Sequence, residues 1–165
     1  MDRRTLLLAL PGFIGAFRCS SAPPLSGAHQ SADALATAVL DALARTDRKQ
    51  LEDLALTERE FRDHVWPDLP AARPERNLPF SYVWQDLRQK SHLQLSETLT
   101  QHGGKHYQFR GVRFAGETRY AHYLVHRDST FDIVDASGAA VPLRVCGSFL
   151  EKEGAWKVFS YVVDD

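Results

Sequence analysis

The chain has 165 residues, 44% of them hydrophobic and 25% charged, with a formal net charge of −1. That is enough apolar material for the core of one ordinary globular domain. It excludes the surplus of positive charge by which nucleic-acid binders attract phosphate backbones, so no nucleic-acid partner is expected.

Arg3 and Arg4 precede an apolar run from Thr5 to Phe17, and small and proline residues follow at Ser20-Ser21-Ala22-Pro23-Pro24. Charged, then apolar, then small is the order of a bacterial export signal. The run is shorter than the roughly 20 apolar residues of a membrane-spanning helix, and Pro11-Gly12 interrupts it. Residues 1–22 are therefore read as an export signal, 23–30 as a flexible lead and 31–165 as a single domain, which places the protein in the periplasm or cell envelope. Without residues 1–19 the chain keeps 17 basic against 20 acidic groups. The Arg3-Arg4 pair resembles a twin-arginine signal without the usual following aromatic, and it suits the general export route equally. Cys19 resembles the lipid-attachment cysteine of bacterial lipoproteins, although Arg18 and Ala16 stand where that motif has a small residue and a leucine. Contact with a membrane is expected only through the signal or such an anchor. Cys146 falls within a strand pattern and reads as a small buried hydrophobe, so no internal disulfide is expected.

Leu35, Val39 and Leu43 recur every fourth residue and predict an amphipathic helix over Ser31–Leu43. A second helical piece is predicted from about Arg48 to Leu56. Thr57-Glu58-Arg59-Glu60 has the form of a capping box, so another helix should start there and carry Phe61 and Val65 as far as Trp66. The thirteen residues Pro67–Pro79 hold four prolines and cannot continue it. They read as a loop, either a plain connector or a lid. Ser81–Gln101 returns to helical spacing with Trp84, Leu87, Ser91, Leu95 and Thr98 on one stripe, and Gly103-Gly104 closes it.

Strands follow. Tyr107 and Phe109 alternate in one phase, Val112 and Phe114 in the other, so a bulge near Gly111 must absorb one residue. Thr118–Val134 reads as a long strand or a bent pair. Ala121, Tyr123, Val125, Phe131 and Ile133 are assigned to its core face, and Tyr120, His122, Leu124, His126 and Asp128 to the other. Ser137-Gly138 turns the chain into Val141–Val163, a hairpin reversing at Glu151–Gly154. Its return strand is apolar on both sides, which predicts a position inside the sheet with a second layer or a second subunit on one face.

Helices followed by antiparallel strands give an α+β domain. The order of elements, the long helix ending in glycines and the closing GSFLEKEGAWKVFSYVV hairpin resemble the nuclear transport factor 2-like superfamily over residues 31–163. The resemblance implies N-terminal helices packed on a strongly curved antiparallel sheet, a cystatin-like cone with a pocket between sheet and helices. It implies no single function, because that superfamily holds isomerases, dehydratases, hydrolases and non-catalytic binding or dimerisation modules.

No catalytic or cofactor fingerprint is present, and no cofactor is expected. His122 and His126 stand about 13 Å apart on one strand face, too far to share a metal, so no metal site is expected. Each is either a surface histidine or, if that face looks inward, a general base. Asp63 and His64 point about 100° apart on a helix and do not pair by adjacency. His102-Gly103-Gly104-Lys105-His106 reads as a helix cap. Six aromatics, Trp66, Tyr82, Trp84, Tyr107, Tyr123 and Tyr161, are the candidates to line a pocket for a small apolar or aromatic ligand. The leading expectation is an exported small-ligand-binding or protein-interaction module. The alternatives are an acid-base enzyme using His122 or His126 with a tyrosine, and a homodimerisation domain.

Overall fold

The computed structural model describes residues 22–163; the signal segment up to residue 21, Cys19 included, lies outside the described residues. Helix α1 spans Ala32–Ala44, started by the Ser31 hydroxyl, which accepts from the Ala34 amide at 3.1 Å. Asp47 caps α2, Arg48–Leu54, in the same way. At Thr57 the predicted capping box forms in full: the Thr57 hydroxyl accepts from the Glu60 amide, and the Glu60 carboxylate accepts from the Thr57 amide. The helix it opens is short. Helix α3 covers Glu58–Glu60 and widens into a π turn over Phe61–Val65.

The proline segment is not unstructured. It forms single 3-10 turns at Trp66–Asp68, Pro70–Ala72 and Pro74–Arg76. Each has proline in its first two positions, where a fixed φ suits the turn and a missing N–H costs nothing. Helix α4 then runs Phe80–His102. It buries Trp84, Leu95 and Thr98 of the expected stripe, and Leu87 and Ser91 are half-buried.

Strands β1 (Gln108–Arg119), β2 (Leu124–Val134), β3 (Ala140–Leu143), β4 (Ser148–Lys152) and β5 (Ala155–Ser160) form one open antiparallel sheet in the order β1-β2-β4-β5. β3 pairs with the far half of β2 and β4 with its near half. The expected continuous strand from Val141 to Phe149 is therefore broken at 144–147. Its register is held there because the Ser129 hydroxyl donates to the Cys146 carbonyl at 2.6 Å and the Gly147 amide to the Ser160 carbonyl at 3.0 Å. The bulge expected near Gly111 is present between Phe109 and Gly111. Tyr120–Tyr123 is a tight turn, so Thr118–Val134 is a bent pair, and Ala121 is exposed rather than core. Glu153 and Gly154 both take positive φ, 52° and 78°, which is the two-residue reversal that matches strand twist.

Neighbouring strand residues face opposite sides, and both sides of β4 are used. Phe149 joins a cluster with Leu35, Val39, Leu51 and Phe131, whereas Leu150 joins another with Phe61, Val65, Trp84 and Val125. Helices α1 and α2 thus meet one face, and α3 with the first half of α4 meets the other. The link between α2 and α3 crosses the border of β5, where the Leu56 amide donates to the Val158 carbonyl at 3.1 Å. His29 exchanges two backbone bonds with Trp156 on the same border. The doubly apolar strand is therefore a border strand, not an internal one. Its second cover comes from the same chain, and neither face of the hairpin is left bare.

The two halves of β2 also face opposite ways. Asp128 takes φ 54°, and beyond it the alternation changes sense: Val125 lies in the second cluster, Phe131 and Ile133 in the first. A single alternating set in the sequence is thereby split between two cores.

Candidate functional site

A cleft of about 260 Å³ opens between α4 and the segment joining α2 to α3. Its floor is apolar, made by Leu56, Trp84, Leu87, Leu95 and Phe159. On α4, Trp84, Arg88 and His92 follow at four-residue spacing, so they lie one above another along the wall. Glu52 and Glu58 form the facing rim. Both of these acids are engaged: Glu52 with Arg48 at 3.0 Å and with His92 at 4.0 Å, Glu58 with Arg62 at 2.7 Å. Arg88 has no ion-pair partner among the described residues. Tyr161, at the bottom, donates its hydroxyl to the Leu51 carbonyl at 2.6 Å. Burial pushes its phenol far above the ordinary range, so it is a neutral structural donor.

A second arrangement joins the proline segment to the β1–β2 turn. Asp68 accepts from the backbone amide of His122 at 3.0 Å, and one carboxylate oxygen lies 2.9 Å from Nδ1 of its ring. A carboxylate only accepts, so Nδ1 carries a proton and neutral His122 presents its lone pair at Nε2. The Asp68 side chain is 11% exposed and that of His122 71%. The ring borders two surface recesses, one lined by Asp63, His64, Pro67 and Lys152, the other by Arg119, Tyr120, Tyr123 and Glu153. The Tyr120 and Tyr123 rings stack 4.6 Å apart. Burial raises the Tyr123 phenol, whose hydroxyl donates to the Val65 carbonyl.

His126 differs from the expected surface residue and from a shared face with His122. Its ring stacks 4.7 Å from Trp156 and lies 5.0 Å from Phe114, and its Nε2 is 2.8 Å from Glu151. Only 13% of the side chain is exposed. The shift in alternation at Asp128 puts it beside Phe114, a placement that unbroken period-two counting assigns to the opposite side.

The six aromatics disperse. Trp84 and Tyr161 share the α4 cleft, and Tyr123 borders the recess near His122. Trp66 packs edge-on to Phe80 at 5.5 Å. The Tyr107 hydroxyl meets Nδ1 of His102 at 2.8 Å, away from either site. Tyr82 is 62% exposed and lines neither the cleft nor the two recesses. Sequence reasoning missed Arg88 and His92, although their spacing from Trp84 was a readable signal. It also missed the pairings of Asp68 with His122 and of Glu151 with His126, which cross long stretches of chain and leave no local signal.

Among the described residues no group of three His, Cys, Asp or Glu side chains is placed to hold a metal ion, and no helix is long and apolar enough to cross a membrane. Comparison of the chain with known protein families, with curated proteins and with solved structures gives no match.

Proposed function

We propose that the chain is an exported small-ligand-binding module with a nuclear transport factor 2-like layout, and that its ligand occupies the α4 cleft. The observation that carries this reading is the cleft's composition: an apolar floor under a polar rim whose two acids already have partners. Such a site can take an apolar body without leaving either carboxylate buried and unpaired. The cone belongs to the same proposal and is supported by two devices that bend a sheet, the bulge at Gly111 and the altered alternation at Asp128. Export rests on the order of residues 1–22. A thermal-shift screen of small apolar and aromatic compounds tests the binding. A ligand at 100 times its dissociation constant adds about 2.7 kcal/mol, and Ser91→Phe, which fills the cleft, should abolish the gain. A screen without a stabilising compound, or a gain that survives Ser91→Phe, counts against the reading.

A second reading is supported by the Asp68–His122 pair: acid-base chemistry with His122 as base and Tyr120, whose neighbour Tyr123 is tied to Val65, as proton partner. Loss of an observed isomerase or dehydratase activity in Asp68→Asn, with Ser91→Phe unaffected, would favour it over the first.

A further inference from the structure

We infer that the α4 cleft takes a small apolar monocarboxylate and that Arg88 holds its charged end, an inference that rests on this cleft being the ligand site. Every carboxylate at the rim is already within reach of a cation on its own side: Glu52 of Arg48, Glu58 of Arg62. Arg88 is the rim cation left over among the described residues. A guanidinium presents a planar pair of donors that matches one carboxylate, and such charge-assisted pairs are stronger than neutral hydrogen bonds. Ser91 lies beside Arg88 on the cleft wall; its hydroxyl accepts from the Tyr161 amide and lies near the Ser160 hydroxyl, both at 3.4 Å, and with Ser160 as the donor its own proton supplies a second donor to the cleft. His92 lies one turn beyond Arg88, 4.0 Å from Glu52, and Arg48, the partner of that acid, donates to the Ser96 hydroxyl and the His92 carbonyl of α4.

The charge of the ligand follows from the facing wall. Glu52 and Glu58 are already matched by Arg48 and Arg62, which leaves one guanidinium over: a single negative charge is matched by Arg88, while a dianionic phosphate keeps a second charge without a counter-ion. An amine is disfavoured from both sides, because the acids have partners and Arg88 repels it. The apolar remainder lies over Trp84, Leu87 and Phe159, where burial of hydrocarbon supplies affinity without direction.

The test is calorimetric titration of the full-length chain with 3-phenylpropionate, octanoate and indole-3-acetate, each against its own amide, and with phenethyl phosphate. At least one acid should bind about tenfold or more tightly than its amide. Arg88→Gln should bring that acid down to the affinity of the amide and leave the amide unchanged, and Arg88→Lys should fall between. Arg88 is exposed, so these variants keep the fold. Acid and amide binding equally, a preference that survives Arg88→Gln, or a phosphate that binds more tightly than the acids overturns the monocarboxylate while leaving a ligand cleft in place. Failure of every probe to bind overturns the cleft reading and this inference together.

Discussion

The ammonium of Lys157 lies 2.9 Å from the carboxylate of Glu60, with 1% and 8% of the two side chains exposed, and joins α3 to β5 through the second core. Glu60 also accepts from the amide and hydroxyl of Ser26, at 2.7 and 2.9 Å, so the same carboxylate fastens the segment before α1. Removing one member of a buried pair leaves an uncompensated charge and typically costs about 3–5 kcal/mol. Lys157→Met and Glu60→Gln should each lose that order of stability in urea unfolding, and the double variant should lose less than the two added together. Simple additivity in the cycle would show that the two groups do not depend on each other.

Acid should act through the same carboxyl. Burial alone would raise it, but the hydrogen bonds from Thr57, Lys157 and Ser26 outweigh that and hold it at about 2, against 4.5 for an unperturbed glutamate. A depressed carboxyl stabilises the fold fully above the unfolded value and loses that contribution as pH falls from about 4.5 to about 2. The loss amounts to roughly 3 kcal/mol. Unfolding free energies of wild type and Glu60→Gln, measured from pH 6 to pH 2, should converge by about that much. A constant gap between them across this range would refute the assignment.

Two glycines in the sheet half should respond differently to alanine. A Cβ on Gly147 would collide with the Val162 carbonyl, whereas on Gly111 it meets nothing within 4 Å. Gly147→Ala should destabilise by about 1–3 kcal/mol or more, as overpacking does, while Gly111→Ala should stay within about 0.5 kcal/mol of wild type. Thermal unfolding of the two variants checks this, and equal melting temperatures would contradict the backbone placement at 144–147.

The Asp68–His122 contact fixes a tautomer. Nitrogen-15 NMR should show neutral His122 protonated at Nδ1, and Asp68→Asn should allow the Nε2-protonated form to take over. A wild-type ring already protonated at Nε2 would mean that the carboxylate does not orient it.

Cys146 is buried, and burial raises its thiol well above the usual range. Its labelling by a disulfide reagent should be far slower than that of a free thiol and should speed up with urea along the unfolding curve. Fast labelling in native buffer would show that 144–147 opens locally.

Local chemistry made much of this fold readable in the sequence. Ser31, the Thr57–Glu60 box, the stripe of α4, the shift of phase at Gly111 and the glycine turn at Gly154 each announce themselves within a few residues. What stayed hidden depends on distant partners or on one backbone angle. Asp128 at positive φ splits the Tyr123–Ile133 set between two cores, and period-two counting cannot register a change of sense that consumes no residue. β5 looked internal because it is apolar on both sides, but its two faces are covered by helices of the same chain and its border is closed by His29 and Leu56, segments far away along the chain. For the site, the aromatics were legible as a class and not as a place. Trp84 and Tyr161 line one cleft because α4 and the end of β5 converge there, and Tyr82, also aromatic, faces water.

The seal that His29 and Leu56 place on β5 limits how copies of this domain can join. A sheet grows by adding strands at its borders, and here one border is spent on the chain's own backbone. β1 is the long border left among the described residues. β3 offers four residues interrupted by Pro142, which cannot donate a backbone hydrogen bond. Among the described residues edge association therefore has one long valence: two molecules meeting β1 to β1 use it up, and the described borders give an endless ribbon of native domains no second long strand on which to continue.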